Sequence, residues 1–365
     1  MKLFLILAFF LFFLIFYIKK PKHLATSFLC FCLVILFSFL ASSREFGVVS
    51  SDDAVEYFWY YKYLREGGVE NFFREVTFEP VFSLFYIVSS HFVSTEREML
   101  FFFSLLCNFI LCLCFYNYKG KYESVFICFL LFSNTSLLFY ETQLIRQTLS
   151  LALFLCFLSS RRYRRAFLFL SFFTHFSVLF FYLFFILGGK VLDCKKTVRL
   201  PLFFMATFFT YTLVTIVFSY ILSFMGGLAP VLANKADYYN VVSSSHFNYK
   251  LVVVVGLPSL IFLFFGKKGD EFQKNVVSFY TGCVLFTLGG SAVPQLSERF
   301  FVACLILFPL AVFYCIKSYV KLAVYARYSL YVGMFILFFY KLFFSITSSQ
   351  SGFSLLNGDL AGKVF

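Results

Sequence analysis

Long apolar runs recur along almost the whole sequence, and this recurrence limits the fold more than any other feature. Of the 365 residues, 61% are hydrophobic, whereas soluble globular proteins are closer to one half. Lipid offers the backbone no hydrogen-bond partner, so apolar runs of this length form helices. The sequence therefore predicts an all-α polytopic membrane protein, with one integral membrane domain over 1–365. We place twelve apolar segments: 3–18, 24–41, 78–93, 99–116, 122–140, 144–159, 166–187, 200–222, 250–266, 274–292, 299–316 and 321–345.

The lysines and arginines of the short loops set the orientation, because such residues favour the cytoplasmic side. Six short loops are basic, whereas the stretch from Ser42 to Glu79 holds eight of the 18 acidic residues. This asymmetry predicts two longer polar loops, 42–77 and 223–249, on the outer side of the membrane. It also accounts for the net charge of +13 without a nucleic-acid partner.

Two apolar segments, 78–93 and 166–187, each lie between loops that the charge rule assigns to the same side. If both of them cross the bilayer, the loops cannot alternate between its two sides as their charges require. We predict that these two are re-entrant or broken helices and that the other ten segments span the membrane. Irregular backbone at membrane depth survives only inside protein or beside a wet cavity, so both segments are expected to border a site.

The eleven cysteines predict neither a metal site nor a redox site. Most lie in apolar segments, where cysteine packs as a small hydrophobic residue, and no Cys-x-x-Cys pair occurs. The four histidines are scattered along the chain, which also disfavours a metal centre. We therefore expect no metal and no cofactor.

Arg146 and Gln147 lie in the first turn of the apolar segment 144–159. The helix dipole repels a cation there, and the predicted topology puts it at the outer face, against the usual charge bias. Gln143 and Ser150 are expected to share its helical face, so that these residues form a polar stripe suited to a cavity. The alternative is an arginine that extends to the membrane surface without a ligand.

Carboxylates occur at two positions that suit chemistry. Glu79 and Pro80 open the segment 78–93, where Glu79 could act as a general base or simply begin a helix. Asp53 and Tyr57 are four residues apart and so share one helical face. The aromatic residues beside them suit an interfacial belt or a sugar-stacking platform, and a solvated helix on the membrane surface is the alternative.

Three further positions are candidates for ligand binding. His175, with Ser177 close by, lies within the segment 166–187, where a lone histidine often only bonds a neighbouring helix. Arg299 opens another apolar helix, where it could bind phosphate oxygens or pair with Glu298. The second outer loop adds two tyrosines that could stack on sugar rings: Tyr238 and Tyr239.

Taken in order, these motifs resemble the EpsG-type family of bacterial polysaccharide polymerases, which are Wzy-like enzymes. The resemblance rests on an Asp followed four residues on by Tyr, a Glu-Pro before an apolar segment, an Ile-Arg-Gln that opens a helix, a His-x-Ser and a late Arg before aromatics. It covers roughly residues 40–310: Asp53, Tyr57, Glu79, Pro80, Ile145, Arg146, Gln147, His175, Ser177, Arg299, Phe300 and Phe301.

The resemblance implies a metal-independent membrane glycosyltransferase. It would join oligosaccharide repeat units carried on undecaprenyl pyrophosphate into a surface polysaccharide, at the outer face of the bacterial cytoplasmic membrane. A flippase and a chain-length regulator would be its partners. Arg146 and Arg299 would bind the pyrophosphate, Glu79 or Asp53 would be the base, and His175 would orient a phosphate or hydroxyl. Six residues would contact substrate: Tyr57, Gln143, Gln147, Ser177, Tyr238 and Tyr239.

Two other classes of function fit part of the pattern. A flippase or other transporter of the same lipid-linked sugar also needs a cationic cavity, but transporters usually carry internal repeats and none is evident here. A glycan ligase or an O-acetyltransferase is the other alternative. An acetyltransferase would place its histidine and arginine near the cytoplasmic face, where the acyl donor is, and the large acidic outer loop argues against that.

Overall fold

The computed structural model describes residues 23–43, 53–75, 78–119, 122–225, 249–319 and most of 329–341. Throughout these ranges the regular structure is helical, and they contain no strand. The chain is therefore all-α where it is described, as predicted. Its main helices are α1 His23–Ser42, α2 Asp53–Glu75, α3 Pro80–Ser90, α4 Glu96–Lys119, α5 Tyr122–Phe132, α6 Thr135–Gln143, α7 Ile145–Ser159, α8 Arg164–Thr174, α9 Val178–Asp193, α10 Lys196–Met225, α11 Tyr249–Phe265, α12 Glu271–Gly289 and α13 Pro294–Tyr319.

Three helices of the described part are long and apolar enough to cross a membrane: Glu96–Tyr116, Lys196–Ile216 and Ser297–Tyr319. A fourth crossing arises if α5 and α6, which meet at a bend of 65°, form one broken span. The remaining apolar helices are shorter than a bilayer requires. These helices make the chain a membrane protein, and the figure of ten spans stays a prediction. The shorter apolar helices are Thr26–Ser42, Pro80–Ser90, Ile145–Ser159 and Val252–Phe265.

Of the two segments that were predicted to be re-entrant or broken, 166–187 contains a break and 78–93 contains one short helix. Within 78–93, only the 11 residues of α3 are helical, and a turn follows at His91 and Phe92. Within 166–187, the chain leaves helical geometry between α8 and α9, and His175 has extended backbone angles. The break at His175 and the start of α3 after Glu79 place backbone polar groups and side chains where the middle of a helix would not.

The predicted loop 42–77 is largely a helix. Residues from Asp53 to Glu75 form α2, which is kinked at Gly68, where a φ of 76° requires a residue without a Cβ. The second predicted loop, 223–249, lies almost entirely outside the described residues.

The contacts divide the chain into two compact units. The first contains the described residues up to Leu179 and those after Tyr328, and the second runs from Phe180 to Arg327. In the first unit, α7 is buried along nearly its whole length, packed against α4 and α8. The Ser171 hydroxyl on α8 donates a hydrogen bond of 2.6 Å to the Ser150 carbonyl of α7.

An aromatic cluster joins α2, α3 and α4 in the same unit. Its rings lie 5.2–6.1 Å apart in tilted, stacked and edge-on pairs, geometries that stabilise beyond burial alone. The Tyr61 hydroxyl adds hydrogen bonds to the carbonyls of Ser89 and Val93, at 2.7 and 3.0 Å. These contacts fix α2 on α3. The cluster comprises Phe72, Phe78, Phe82, Tyr86 and Phe103.

In the second unit, α9 and α12 approach each other through two glycines. A Cβ atom on Gly188 would overlap the carbonyl oxygen of Ser278, and one on Gly282 would overlap the carbonyl oxygen of Phe184. Small residues that let helix backbones approach closely are a general device of helix packing in membranes.

Gly282→Ala is therefore expected to lower the apparent melting temperature by several degrees. The added methyl group meets backbone, which cannot move aside like a side chain, and overpacking of this kind costs about 1–3 kcal/mol. The matched control is Gly256→Ala in the same unit, whose new Cβ would find its nearest atom, Val284 Cγ1, at an ordinary 3.8 Å. Thermal unfolding of the purified protein checks this, and equal melting of the two variants would contradict it.

Candidate active site

Glu79 stands at the N-terminus of α3 but does not cap it. Its backbone is extended (φ −63°, ψ 144°), Pro80 follows as the first helical residue, and the side chain makes no capping hydrogen bond. Pro80 lacks an N–H in any case, so the helix start loses little by this. The Glu79 carboxylate therefore does not cap the helix, which was the alternative role that the sequence left open.

The Glu79 carboxylate instead joins two residues that lie far away in the sequence. Its Oε2 accepts a hydrogen bond from Arg146 Nη1 at 3.0 Å, and its Oε1 lies 2.6 Å from His175 Nδ1. The Phe176 backbone N–H donates to Oε1 at 3.4 Å. Only 6% of Glu79 is exposed, so these contacts are made largely out of water.

Arg146 is the second residue of α7, where the helix dipole is unfavourable to a cation. The charge of Glu79 compensates it, and Arg146 Nε donates to the Tyr57 hydroxyl at 3.1 Å. The guanidinium also lies over the Phe78 ring, 4.8 Å from its centre, in a cation–π contact. Because 28% of the Arg146 side chain is exposed, part of the guanidinium can meet a ligand.

Tyr57 is held in place by the helices around it. It is 6% exposed, its ring packs against Phe78 and Phe82, and its backbone carbonyl accepts a hydrogen bond from the Tyr86 hydroxyl. A phenol fixed in this way orients the guanidinium of Arg146 rather than following it.

His175 occupies the break between α8 and α9. Its backbone N–H still caps α8 by donating to Ser171 at 3.1 Å, while its side chain turns toward Glu79. If Nδ1 carries the proton that Glu79 accepts, Nε2 of the neutral ring is left as a hydrogen-bond acceptor. Within the described residues Nε2 has no hydrogen-bond partner, and the side chain is 22% exposed.

The protonation of Glu79, which lies outside the three candidate spans, follows from this environment. Burial raises the pKa of its carboxyl, but the hydrogen bond from His175 and the charge of Arg146 outweigh burial. The net result lowers the pKa from 4.5 to about 2. Glu79 is therefore ionised at any physiological pH, and a carboxylate with so low a pKa is a poor general base.

The polar stripe predicted around Arg146 is wrong in part. The chain leaves helical geometry at Leu144 (φ −105°, ψ 53°), so Gln143 ends α6 and does not lie on the helix of Arg146. Gln147 and Ser150 are on α7 but are buried, and Ser150 lies against α8. The break was invisible to helical spacing because no glycine or proline marks it.

The other predicted residues are not brought to this cluster by any described contact. The hydroxyl of Ser177 is buried and has no hydrogen-bond partner among the described residues. Asp53 begins α2, but its side chain lies outside the description. Arg299 is an exposed residue of α13 in the second unit. Tyr238 and Tyr239 lie outside the described residues.

Sequence reasoning missed two contributors to the site. Phe78 supplies the ring beneath Arg146, and the Phe176 N–H supplies a third contact to Glu79. Phe78 directly precedes Glu79, so an aromatic residue beside a candidate acid was the available signal. Nothing in the sequence predicts the contact of the Phe176 amide, because this N–H is free to donate to Glu79 only where the helix breaks.

One group of side chains in the described part could hold a metal ion. The sulfur atoms of Cys30, Cys112 and Cys128 lie within 4.8 Å of one another, and all three residues are buried. Thiol ligands suit soft or borderline ions. The Mg²⁺ or Mn²⁺ that normally binds a pyrophosphate prefers oxygen ligands, so this group does not suit such an ion. The helix-packing role of these cysteines stays a prediction.

Comparison with protein families gives one match. The model described as the EpsG family matches residues 28–356, which is nearly the whole chain. No curated protein and no solved structure matches the chain.

The ion pair predicts that a double variant without either charge is more stable than the single variant that loses only the Glu79 charge. Glu79→Gln leaves Arg146 without its countercharge, and breaking such a buried pair costs about 3–5 kcal/mol, less here because Arg146 is partly exposed. The double variant Glu79→Gln with Arg146→Met removes the unpaired charge as well. We expect the double variant to melt at a higher temperature than Glu79→Gln alone, as measured by thermal unfolding, and strictly additive losses would count against the pair.

Acid should remove the contribution of Glu79 to the stability of the fold. A carboxyl with a lowered pKa stabilises the fold above its unfolded-state pKa of 4.5, and this stabilisation is lost as the pH falls toward 2. That depression of the pKa corresponds to roughly 3 kcal/mol of stability. The stability difference between the wild type and Glu79→Gln should thus shrink from pH 5 to pH 2, in denaturation measured at each pH. A difference that does not change over this range contradicts the assignment.

Proposed function

The chain belongs to the EpsG family of Wzy-like polysaccharide polymerases, and we propose that it joins oligosaccharide repeat units carried on undecaprenyl pyrophosphate. The growing chain is transferred from its lipid carrier to a new lipid-linked unit. The observation that carries this proposal is the convergence of Tyr57, Glu79, Arg146 and His175 on one partly open site. The first and last of these are more than a hundred residues apart in sequence, so the fold alone brings them together.

The leaving group of this reaction is a lipid pyrophosphate, and Arg146 suits it. A guanidinium binds phosphate oxygens at fixed angles and keeps its charge at every physiological pH. Glu79 and Tyr57 hold Nη1 and Nε, so the remaining edge of Arg146 is oriented before a substrate arrives. Preorganised charge of this kind stabilises the negative charge that develops on the departing group.

We assign the base to His175 rather than to Glu79. Glu79 is weakly basic because Arg146 and His175 stabilise its charged form, whereas Nε2 of His175 is open. Glu79 then acts as a positioning residue that fixes the tautomer and the direction of the imidazole ring. Asp53, the other base suggested by the sequence, keeps that role only as an alternative.

The bonds balance in a single displacement. The hydroxyl oxygen of the acceptor sugar attacks the anomeric carbon of the donor, and its proton passes to Nε2 of His175. The bond between the anomeric carbon and the pyrophosphate oxygen breaks, and undecaprenyl pyrophosphate leaves with the electron pair beside Arg146. Arg299 lies in the second unit, and its role in binding pyrophosphate stays a prediction that its own substitution tests.

The membrane setting completes the proposal. Ten crossing segments with the site open to the outer face of the bacterial cytoplasmic membrane would give access to lipid-linked units that a flippase delivers. A chain-length regulator would be a further partner. Activity is expected to be independent of metal ions, because arginine supplies the positive charge to the pyrophosphate, and added EDTA should leave it unchanged.

The proposal is tested with the purified full-length protein in liposomes, supplied with a synthetic undecaprenyl-pyrophosphate-linked repeat unit. The wild type should produce a ladder of longer chains. Arg146→Ala should reduce the rate by about 10²–10³-fold, since removing one donor to a developing anion has effects of that size. Arg165→Ala, at an exposed arginine that is the second residue of α8, is the matched control and should retain the ladder.

Three outcomes would overturn the proposal. Movement of the lipid-linked unit across the bilayer without chain growth would identify a flippase. Transfer of the glycan to a different added lipid would identify a ligase, and transfer of an acetyl group from an added acyl donor to the sugar would identify an acetyltransferase. A full ladder from Arg146→Ala would remove this cluster from the reaction.

A further inference from the structure

Glu141 is a buried carboxyl that the proposed reaction does not use. It lies on α6, beyond the bend of 65°, and is 1% exposed. Neither of its oxygens makes a hydrogen bond with a described residue, and no ion pair found in the described part includes it. An ionised carboxylate left alone in such a place is so costly that it normally takes up a proton or a cation.

Its neighbours on α4 are also unsatisfied. The side-chain amide of Asn108 lies within reach of the Glu141 carboxyl. Its Oδ1 has no hydrogen-bond partner among the described residues, and neither has Ser104 Oγ one turn earlier. The orientation of the Asn108 amide is fixed by the rest of the network. Its Nδ2 donates to Ser38 Oγ at 3.1 Å, because the Ser38 hydroxyl is itself donated to the Val34 carbonyl at 2.7 Å.

The oxygens of the Glu141 carboxyl and of the Asn108 amide lack a donated hydrogen, not an acceptor. An ionised carboxylate and an amide oxygen are both acceptors only, so they cannot satisfy each other. A protonated carboxyl can donate its O–H to Asn108 Oδ1 and accept the second N–H of the same amide. One proton therefore satisfies both side chains and removes the buried charge.

We propose that Glu141 forms a buried proton-binding site with Asn108. The carboxyl keeps its proton at neutral pH and exchanges two hydrogen bonds with the amide, which fastens α6 to α4. Among the described residues, the titratable group that interacts with Glu141 is the Cys107 thiol, which brings no positive charge. Since α6 ends at Gln143 and α7 begins at Ile145, the same contact fixes the chain just before Arg146.

Infrared spectroscopy of the full-length protein at neutral pH tests the proton directly. The wild type should show the carbonyl stretch of a protonated carboxylic acid, and Glu141→Gln should lack it. Glu66→Gln is the control, because Glu66 is an exposed carboxylate beside Lys62, and its removal should leave the band unchanged. A spectrum without this difference between the wild type and Glu141→Gln overturns the proposal.

Thermal unfolding supplies a second, independent test. Glu141→Gln keeps an N–H donor for Asn108 and should melt close to the wild type. Glu141→Leu leaves the amide unpaired and should melt several degrees lower. Stabilisation of the wild type by sodium chloride over choline chloride, lost in Glu141→Gln, would show that a cation and not a proton occupies the site, and equal melting of the Gln and Leu variants would remove the Asn108 contact.

Discussion

The site formed by Tyr57, Glu79, Arg146 and His175 in the first unit depends on the contacts of the Glu79 carboxylate. This carboxylate contacts both Arg146 and His175, at 3.0 and 2.6 Å, and it neutralises a cation that the start of α7 would otherwise repel. Without it, Arg146 would be a partly buried charge and His175 would have no fixed direction. The same contacts explain the low pKa of Glu79, because His175 and Arg146 both stabilise its ionised form.

Interrupted helices make that arrangement possible. Glu79 precedes a helix of 11 residues, Arg146 follows the break at Leu144, and His175 stands in the gap between α8 and α9. An unbroken helix presents side chains only around its circumference, whereas a helix end directs backbone amides and side chains along its axis. Such ends are tolerated in an apolar protein where polar groups satisfy one another, as they do around Glu79.

The sequence predicts the class of fold and several site residues, but not their contacts. Loop charges single out 78–93 and 166–187, and Tyr57, Glu79, Arg146 and His175 stand out as polar groups in apolar surroundings. That Glu79 would contact both Arg146 and His175 depends on packing between distant helices. The break at Asn134 was missed although its side chain caps α6 by accepting from the Ser136 N–H, because the apolar run around it hid the signal. Glu141 was passed over because its burial follows from tertiary packing alone.

The central claim is that His175, held by Glu79, takes the proton of the attacking hydroxyl. Imidazole rescue of His175→Gly tests it most directly, in a single-turnover assay with the lipid-linked repeat unit. The account predicts a loss of about 10²–10⁴-fold, the usual contribution of a general base, and its partial recovery when imidazole is added. Transfer by His175→Gly at the wild-type rate, with no response to imidazole, would contradict it.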